Sequence, residues 1–297
     1  MFSTNYIQLV RVYDTQGTVP VSVAVSNSGN LVYVLNSGGD GSIIGFSLSS
    51  SCTLSPISGS TKTFGLLTSG APIPAPFVLT PSEVVFTPDD SFIIAIVKGP
   101  GGFIWTFPIN PNTGVISGDG KKNKSNGFSP FSFDFDTNGH LLVTEAFGTA
   151  GSSPPPPTPN TGALTSYNIL PDGTLQVISG SVGNQQTATC WVKHAGTNCA
   201  FTSNNVAGFI SSYSVSPAGS LTLSALILSP VDLAIDGNRL HIASTGFDFQ
   251  NGVVAQQPAI YTYTIQSDRS LTDPVGVTAG LPTPNEDIFG IMGIALN

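Results

Sequence analysis

Charged residues are scarce in this sequence. They make up 9% of its 297 residues, and 9 Lys and Arg residues face 17 Asp and Glu residues, giving a formal net charge of -8. An acidic chain with so few cations is a poor partner for nucleic acid or for an anionic membrane surface. So low a charged fraction is also unusual for a cytosolic protein, so we expect an extracellular location in preference to a cytoplasmic one.

Long apolar runs are missing as well. The longest are the length of a β-strand, whereas a membrane-spanning helix needs about 20 apolar residues. The start, Met1 to Asn5, has neither basic residues nor a long apolar stretch, so no signal peptide is visible. We therefore expect no association with a membrane. The sequence also lacks a Gly-x-Ser-x-Gly elbow, a phosphate-binding loop and a Cys-x-x-Cys pair.

Short strand-like segments and turn residues fill the chain instead. From Pro20 to Ile57, four apolar or alternating runs are separated by Gly, Asn, Ser and Asp residues, which predicts a four-stranded antiparallel meander. Four further copies keep the same strand order, and they begin at Pro81, Pro130, Ala188 and Pro230. A four-stranded unit recurring at roughly 40 to 60 residues indicates the blades of a β-propeller. A β-sandwich with an accidental likeness is the alternative.

We therefore predict an all-β protein whose residues 1–297 form a single β-propeller domain of five complete blades. The two ends of the chain provide further strands. Residues 6–13 are predicted to be a lone last strand, and residues 287–296 a lone first strand. Propellers often close by building one blade from both termini, because closure removes sheet edges. We expect either an incomplete closing blade or a chain shortened at its N-terminus.

Several stretches carry a resemblance to a known family. They are Thr18 to Val25, Leu31 to Ile43, Phe133 to Asp136 and, most specifically, Val177 to Val192. In these stretches the chain resembles the lactonase-type seven-bladed propellers, a family with 6-phosphogluconolactonase-like and carboxymuconate-cyclase-like members. The resemblance implies a lactonase or a cycloisomerase. Members begin with more than a blade that is missing here, which supports a shortened chain.

The propeller geometry gathers three acidic residues. The first strand of each blade is innermost, and its start lies on the same face of the ring as the end of the second strand. Glu83, Glu145 and Asp232 would therefore meet at the upper mouth of the channel, although they belong to three blades. Carboxylates with separated pKa values act as general acid and base, so we predict these three as catalytic residues.

Two other interpretations of these acids remain open. Together with Asn36 or Asn204 they could hold a divalent cation, Ca²⁺, through oxygen ligands. They could also only solvate a water-filled channel and pair with strand-end amides. Cys190, at the start of an innermost strand, is interpreted as a buried packing thiol, and we expect no disulfide between it and Cys199.

The chain differs from the family in the residues expected at the active site. Substrates of the family carry several negative charges and need clustered Arg or Lys. Here Lys121 to Lys124 are predicted to form an outlying loop, and the three histidines, His140, His194 and His241, fall near the opposite rim. We predict a monomeric enzyme that hydrolyses or forms a lactone and takes a neutral small molecule. The alternative is a non-catalytic propeller that serves as a ligand- or protein-binding scaffold.

Overall fold

The computed structural model describes residues 11–67, 79–99, 101–147, 160–196, 198–206, 208–228, 232–244, 247–248, 253–254, 259–266, 271–272 and 277–278. Regular structure in these ranges is built from β-strands, and no α-helix occurs among them. A helix suited to crossing a membrane is likewise not found in this part of the chain.

The strands form successive four-stranded sheets. Blade 1 contains β1 (Pro20–Val25), β2 (Leu31–Asn36), β3 (Ser42–Leu48) and β4 (Leu54–Pro56), with β5 (Lys62–Thr63) also paired to β3. Blade 2 contains β6 (Pro81–Phe86), β7 (Phe92–Val97), β8 (Phe103–Pro108) and β9 (Lys121–Lys124). Blade 3 contains β10 (Phe128–Phe135), β11 (Leu141–Phe147), β12 (Ala163–Ile169) and β13 (Leu175–Gly183).

Two more sheets complete the described part of the ring. Blade 4 contains β14 (Thr189–His194), β15 (Cys199–Asn204), β16 (Phe209–Val215) and β17 (Leu221–Leu228). Blade 5 contains β18 (Asp232–Asp236), β19 (Arg239–Ser244), β22 (Ala259–Thr264) and β23 (Val277–Thr278), with the hairpin β20 (Phe247–Asp248) and β21 (Val253–Val254) inserted between its middle strands. All pairs are antiparallel and follow chain order, which confirms the all-β propeller of five four-stranded blades.

The apolar core lies between the blades. Each first strand packs on the first strand of the next blade, from β1 through β6, β10 and β14 to β18. The second strands β2, β7, β11 and β15 are buried along their whole length, and those of blades 2 to 4 pack against a neighbouring blade on each face. Tyr33 is one example: its ring packs between blades 1 and 2, and its hydroxyl donates to Gly114 O at 2.6 Å. The innermost strands are therefore held rigidly.

The last strand was predicted correctly in blade 1, where Leu54 to Ile57 contains β4, and too early in blade 2. In blade 2 it was expected at Gly114 to Ile116, but the strand is β9, and Ile116 makes only an isolated bridge with Ile109. The corresponding segments of blades 3 and 4, Gly173 to Leu175 and Gly219 to Leu221, begin in a turn and end on the first residue of β13 and of β17. Gly173, for example, has a φ of 81°, a conformation that glycine adopts readily and a strand does not use. These glycines mark turns rather than the strands that follow.

The predicted closing strands have different outcomes. Arg11, Val12 and Tyr13 belong to no strand, so that part of the predicted segment 6–13 is wrong. Residues 6–10 and 287–296 lie outside the described residues. The incomplete closing blade therefore stays a prediction.

Candidate functional site

Four of the five innermost strands share an irregularity near their start. The pairing register shifts between Pro20 and Ser22 in β1, and at the equivalent points of β6, β10 and β14. In β6 the shift falls between Pro81 and Val84, so Glu83 lies on this bulge. A β-bulge bends the strand and redirects a side chain, and bulges are frequent beside functional sites. The side chain of Glu83 therefore has a different orientation from that of a residue in a regular strand.

Side chains of one innermost strand cap backbone amides of the next. Ser22 Oγ accepts from Val84 N at 3.2 Å, Glu83 Oε2 accepts from Phe133 N at 2.7 Å, and Asp134 Oδ2 accepts from His194 N at 2.7 Å. An innermost strand has a ladder partner on one side only, so the amides on its other edge need another acceptor. The three contacts form a series of hydrogen bonds that links blades 1 to 4 around the channel.

Glu83 has the properties of a titrating group. The residue as a whole is half-buried, and burial of its carboxyl raises the pKa of that group to about 7. The positive charge of Lys193, the amide of Phe133 and the hydroxyl of Ser132 oppose this rise without cancelling it. A carboxyl with this pKa is present in both protonation states at neutral pH, as acid–base catalysis requires.

Two further channel residues act with Glu83, and the sequence analysis did not single them out. Asp134 lies on β10, and Lys193 on β14 places its Nζ 3.9 Å from Asp134 Oδ2. Both charges act on Glu83, with opposite signs. The signal in the sequence was the alternation Phe133-Asp134-Phe135-Asp136, in which acidic residues interrupt a strand that would otherwise be apolar.

Lys98 and Cys190 form a buried pair above this group. Lys98 follows directly after β7, is 2% exposed, and has its Nζ 4.8 Å from the centroid of the Phe131 ring. Burial lowers its pKa to about 8, an effect that neighbouring Cys190 opposes. Burial raises the pKa of the Cys190 thiol to about 12. The thiol is thus protonated and buried, as expected for packing, and Cys52, Cys190 and Cys199 are all free.

Glu145 occupies a different environment from Glu83. It is 0% exposed, and its carboxylate accepts hydrogen bonds from four donors: Gly127 N at 2.6 Å, Ser181 Oγ at 2.7 Å, Thr165 Oγ1 at 2.9 Å and Ser125 Oγ at 3.3 Å. Burial raises its pKa, while these donors act in the opposite direction. The carboxylate ties the segment that enters blade 3 to the outer strands of that blade.

Glu83 and Glu145 lie in separate hydrogen-bond environments, and the meeting of the three acids at the channel mouth stays a prediction. Glu83 and Glu145 share no hydrogen-bond partner in the described residues. Asp232 begins β18 opposite Ala243, as expected for a first strand, but its side chain lies outside the described part. No three acidic, His or Cys side chains of the described ranges could together hold a metal ion.

The amides proposed as calcium ligands have their own roles. Asn204 Oδ1 accepts from Thr189 Oγ1 at 2.7 Å and from Asn184 Nδ2 at 2.8 Å, while its Nδ2 donates to Phe209 O at 2.8 Å. Asn204 therefore fixes the upper end of blade 4. Asn36 Nδ2 lies 3.3 Å from both Thr15 O and Ser42 Oγ. A Ca²⁺ site remains a prediction.

The histidines each have a local partner. His140 Nδ1 lies 2.7 Å from Asp136 Oδ2, and His241 Nδ1 lies 2.9 Å from Thr262 Oγ1. His194 Nδ1 accepts from Gly196 N at 3.2 Å, and burial lowers its pKa. Lys121 to Lys124, expected to be a loop, form the outermost strand β9 instead. The loop prediction failed because a lysine-rich edge strand has no apolar pattern.

Comparison with known proteins identifies the fold. No protein-family profile matches the chain, and no curated protein matches its sequence. Solved structures do match. A candidate 6-phosphogluconolactonase of Bacteroides uniformis has 13% identity and a TM-score of 0.66 over 89% of this chain and 72% of that protein. The periplasmic gluconolactonase PpgL of Pseudomonas aeruginosa has 12% identity and a TM-score of 0.65 over 89% and 73%.

The same fold occurs with unrelated chemistry. Hydrazine synthase of Kuenenia stuttgartiensis matches with 12% identity and a TM-score of 0.57, over 90% of this chain and 68% of that one. At such identities the likeness is one of fold, and propellers carry many functions. The chain thus has a lactonase-like propeller fold, and five blades are described where the resemblance implied a seven-bladed family.

Proposed function

We propose that this chain hydrolyses a neutral lactone and that Glu83 is its general base. The observation that carries the proposal is the pKa of about 7 at the carboxyl of Glu83, a half-buried residue on the innermost strand of blade 2. A base with a pKa near the working pH combines a useful ionised fraction with sufficient strength.

The reaction needs only a water molecule and this carboxyl. The Glu83 carboxylate takes a proton from water while the water oxygen attacks the lactone carbonyl carbon, giving a tetrahedral intermediate. The carbonyl re-forms as the bond to the ring oxygen breaks, and Glu83 returns the proton to that oxygen, giving the hydroxy acid. The ammonium group of Lys193 contributes positive charge near the developing oxyanion.

Other features support this choice among the three acids. Glu145 is enclosed and saturated by donors, so water cannot reach it without displacing them. The fold likeness to proteins named as gluconolactonases is consistent with a cyclic ester as substrate. The described channel strands carry few cations beyond Lys193, which favours a neutral lactone over a phosphorylated one.

The test compares Glu83→Gln with the unaltered chain on gluconolactone and its phosphorylated form, with and without EDTA. We expect kcat/KM on the neutral lactone to fall at least about 100-fold. Because the ionised form is the base, kcat/KM of the unaltered chain should rise with pH through a midpoint near 7. Glu145→Gln should keep kcat per folded molecule. Equal activity of Glu83→Gln would remove the proposal, and loss of activity in EDTA would instead favour a Ca²⁺ site.

A scaffold role is the second candidate, and one observation favours it. Glu83 and Asp134 each cap an amide of the next blade, which is sufficient reason for an acid at either position. If the unaltered chain hydrolyses neither the neutral lactone nor its phosphorylated form, the scaffold role is preferred.

A further inference from the structure

A groove separates the outer rims of blades 1 and 2. This outer groove has a volume of about 530 Å³, and its walls include Thr61, Lys62, Thr63, Trp105, Asp119 and Lys122. One wall is β5 of blade 1, and the other is β8, β9 and their connection in blade 2. Glu83 lies on the innermost strand of blade 2, so about 14 Å of sheet separates it from β9. The outer groove is therefore distinct from the channel.

Two cations line this groove. They are Lys62 and Lys122, from two different blades of a chain that has 9 Lys and Arg residues and a net charge of -8. The amine of Lys62 reaches across the groove to Asp119 Oδ1 at 3.3 Å. The side chain of Asp119 is fully exposed, so this ion pair is weak and a ligand anion can compete for Lys62.

An aromatic surface lies beside these cations and is held in place. Trp105 stacks on Phe107 with centroids 5.6 Å apart and an interplanar angle of 3°, and it packs at a tilt against Phe64. Lys122 is its cross-strand partner, and the Lys122 amine lies 5.7 Å from the Trp105 ring and 4.0 Å from the Phe103 ring. The groove thus offers a fixed indole and a cation resting on aromatic faces.

Protection of a sheet edge explains only part of this arrangement. Lysines on β9 discourage pairing with another strand, as is usual for an exposed edge. That role does not require Lys62, which belongs to the facing blade, nor a tryptophan lining the cleft. The convergence of groups from two blades is what a binding site needs: an apolar surface with a few placed polar groups.

We propose that the outer groove binds a uronic acid, a sugar ring bearing one carboxylate. The indole of Trp105 receives the C–H face of the ring. Lys62 and Lys122 bind the carboxylate through charge-assisted hydrogen bonds. Asp119 accepts hydrogen bonds from ring hydroxyls, and the hydroxyls of Thr61 and Thr63 serve as further donors or acceptors.

A longer polyanion fits the observations less well. Nucleic acid binding needs many phosphate contacts, whereas the described walls of this groove hold two lysines and no arginine, and the chain as a whole is acidic. A neutral sugar would use the indole and Asp119 but would make no charge-assisted hydrogen bond with either lysine. A hydroxylated ring with one carboxylate has a partner for the indole, for both lysines and for Asp119.

The test uses tryptophan fluorescence, since the chain has 2 Trp residues. In Trp191→Phe, Trp105 is the only tryptophan. We expect saturable quenching by galacturonate, with a Kd of about 1 mM or tighter, and little response to galactose. The trimer of galacturonate, compared with the monomer, distinguishes a unit of a polysaccharide from the free acid. If Trp191→Phe does not fold, calorimetric titration of the unaltered chain replaces the fluorescence.

Matched lysine variants decide the outcome. The double variant Lys62→Gln, Lys122→Gln should weaken binding at least about tenfold. Lys121→Gln, on the same strand but paired with Asp172 toward blade 3, should leave it unchanged. The proposal is overturned if neither galacturonate nor its trimer binds, or if acetate or galactose binds with equal affinity. It is also overturned if the double variant binds galacturonate as tightly as the unaltered chain. None of these results depends on lactone hydrolysis.

Discussion

Glu83 and Glu145, which lie in neighbouring blades, differ in the number of hydrogen bonds that their carboxyl groups accept. Glu83 accepts a hydrogen bond from the backbone amide of Phe133, and the residue as a whole is half-buried. Glu145 is enclosed by Gly127, whose amide donates to it and whose position leaves no room for a side chain. A buried charge is tolerated only when donors replace its lost hydration. Which acid can take part in catalysis therefore depends on its environment as well as on its residue type.

Removing Glu145 should mainly affect stability. Glu145→Ala leaves four donors without their acceptor, and we expect the free energy of unfolding to fall by about 3 kcal/mol or more, measured by urea titration. Asp236→Asn, at an exposed acid in blade 5, is the control and should change it by less than about 0.5 kcal/mol. A small loss for Glu145→Ala would mean that water replaces the carboxylate, and the structural role would then be wrong.

At the scale of elements, the strands of the blade interior were predictable and the irregular ones were not. The second strands are continuous apolar runs, such as Leu31 to Asn36 in β2 and Phe92 to Val97 in β7, and such runs are visible in the sequence. β9 reads Lys-Lys-Asn-Lys and has no such pattern, because its residues face solvent and the neighbouring blade rim. The bulge at Glu83 depends on pairing with β7, which local sequence does not encode.

The candidate site was predictable to a similar degree. Placing Glu83 on an innermost strand followed from the repeat. Glu145 was placed at the end of a second strand correctly, but the hydrogen bonds it receives come from distant parts of the chain. Asp134 and Lys193 become relevant only when blades 3 and 4 are adjacent.

The turn between the first and second strands of blade 1 is joined to the equivalent turn of blade 2. Asp90 Oδ1 accepts from Asn27 N at 2.8 Å and its Oδ2 from Ser28 N at 2.9 Å, joining the turns of blades 1 and 2. Asp90 also has a φ of 55°, which Asp and Asn tolerate better than most residues.

Breaking this contact should loosen the junction of the two blades. Asp90→Gly removes the acceptors without backbone strain, and we expect a loss of about 2 kcal/mol in thermal or urea unfolding. Asp90→Asn keeps one acceptor oxygen and should lose less. If Asp90→Gly is as stable as the unaltered chain, the contact between these two turns does not stabilise the ring.

At the scale of the whole molecule, blade 1 differs from the blades that follow it. β1 packs on β6 with one face, but Val23 and Val25 on its other face are 64% and 56% exposed. The first strands of blades 2 to 4 carry no exposed large apolar side chain of this kind in the described ranges. Contiguous exposed apolar surface of this sort attracts other apolar surfaces.

Polar replacements on β1 should therefore be tolerated. The double variant Val23→Thr, Val25→Thr keeps β-branched side chains, so we expect an unchanged unfolding temperature and a lower fluorescence of a dye that binds apolar surface. A matched change in the core, Val143→Thr, should destabilise by about 1 kcal/mol or more. A similar loss for the β1 variant would show that these valines are covered in solution.

The amide caps around the channel have a direction. Ser22 accepts from the amide of Val84, Glu83 from that of Phe133, and Asp134 from that of His194. In each contact the acceptor residue precedes the donor residue in the chain. During synthesis on the ribosome, the acceptor of each blade is already made when the strand it will hold emerges. For these three contacts, the order of synthesis is therefore compatible with blade-by-blade assembly from the N-terminal side.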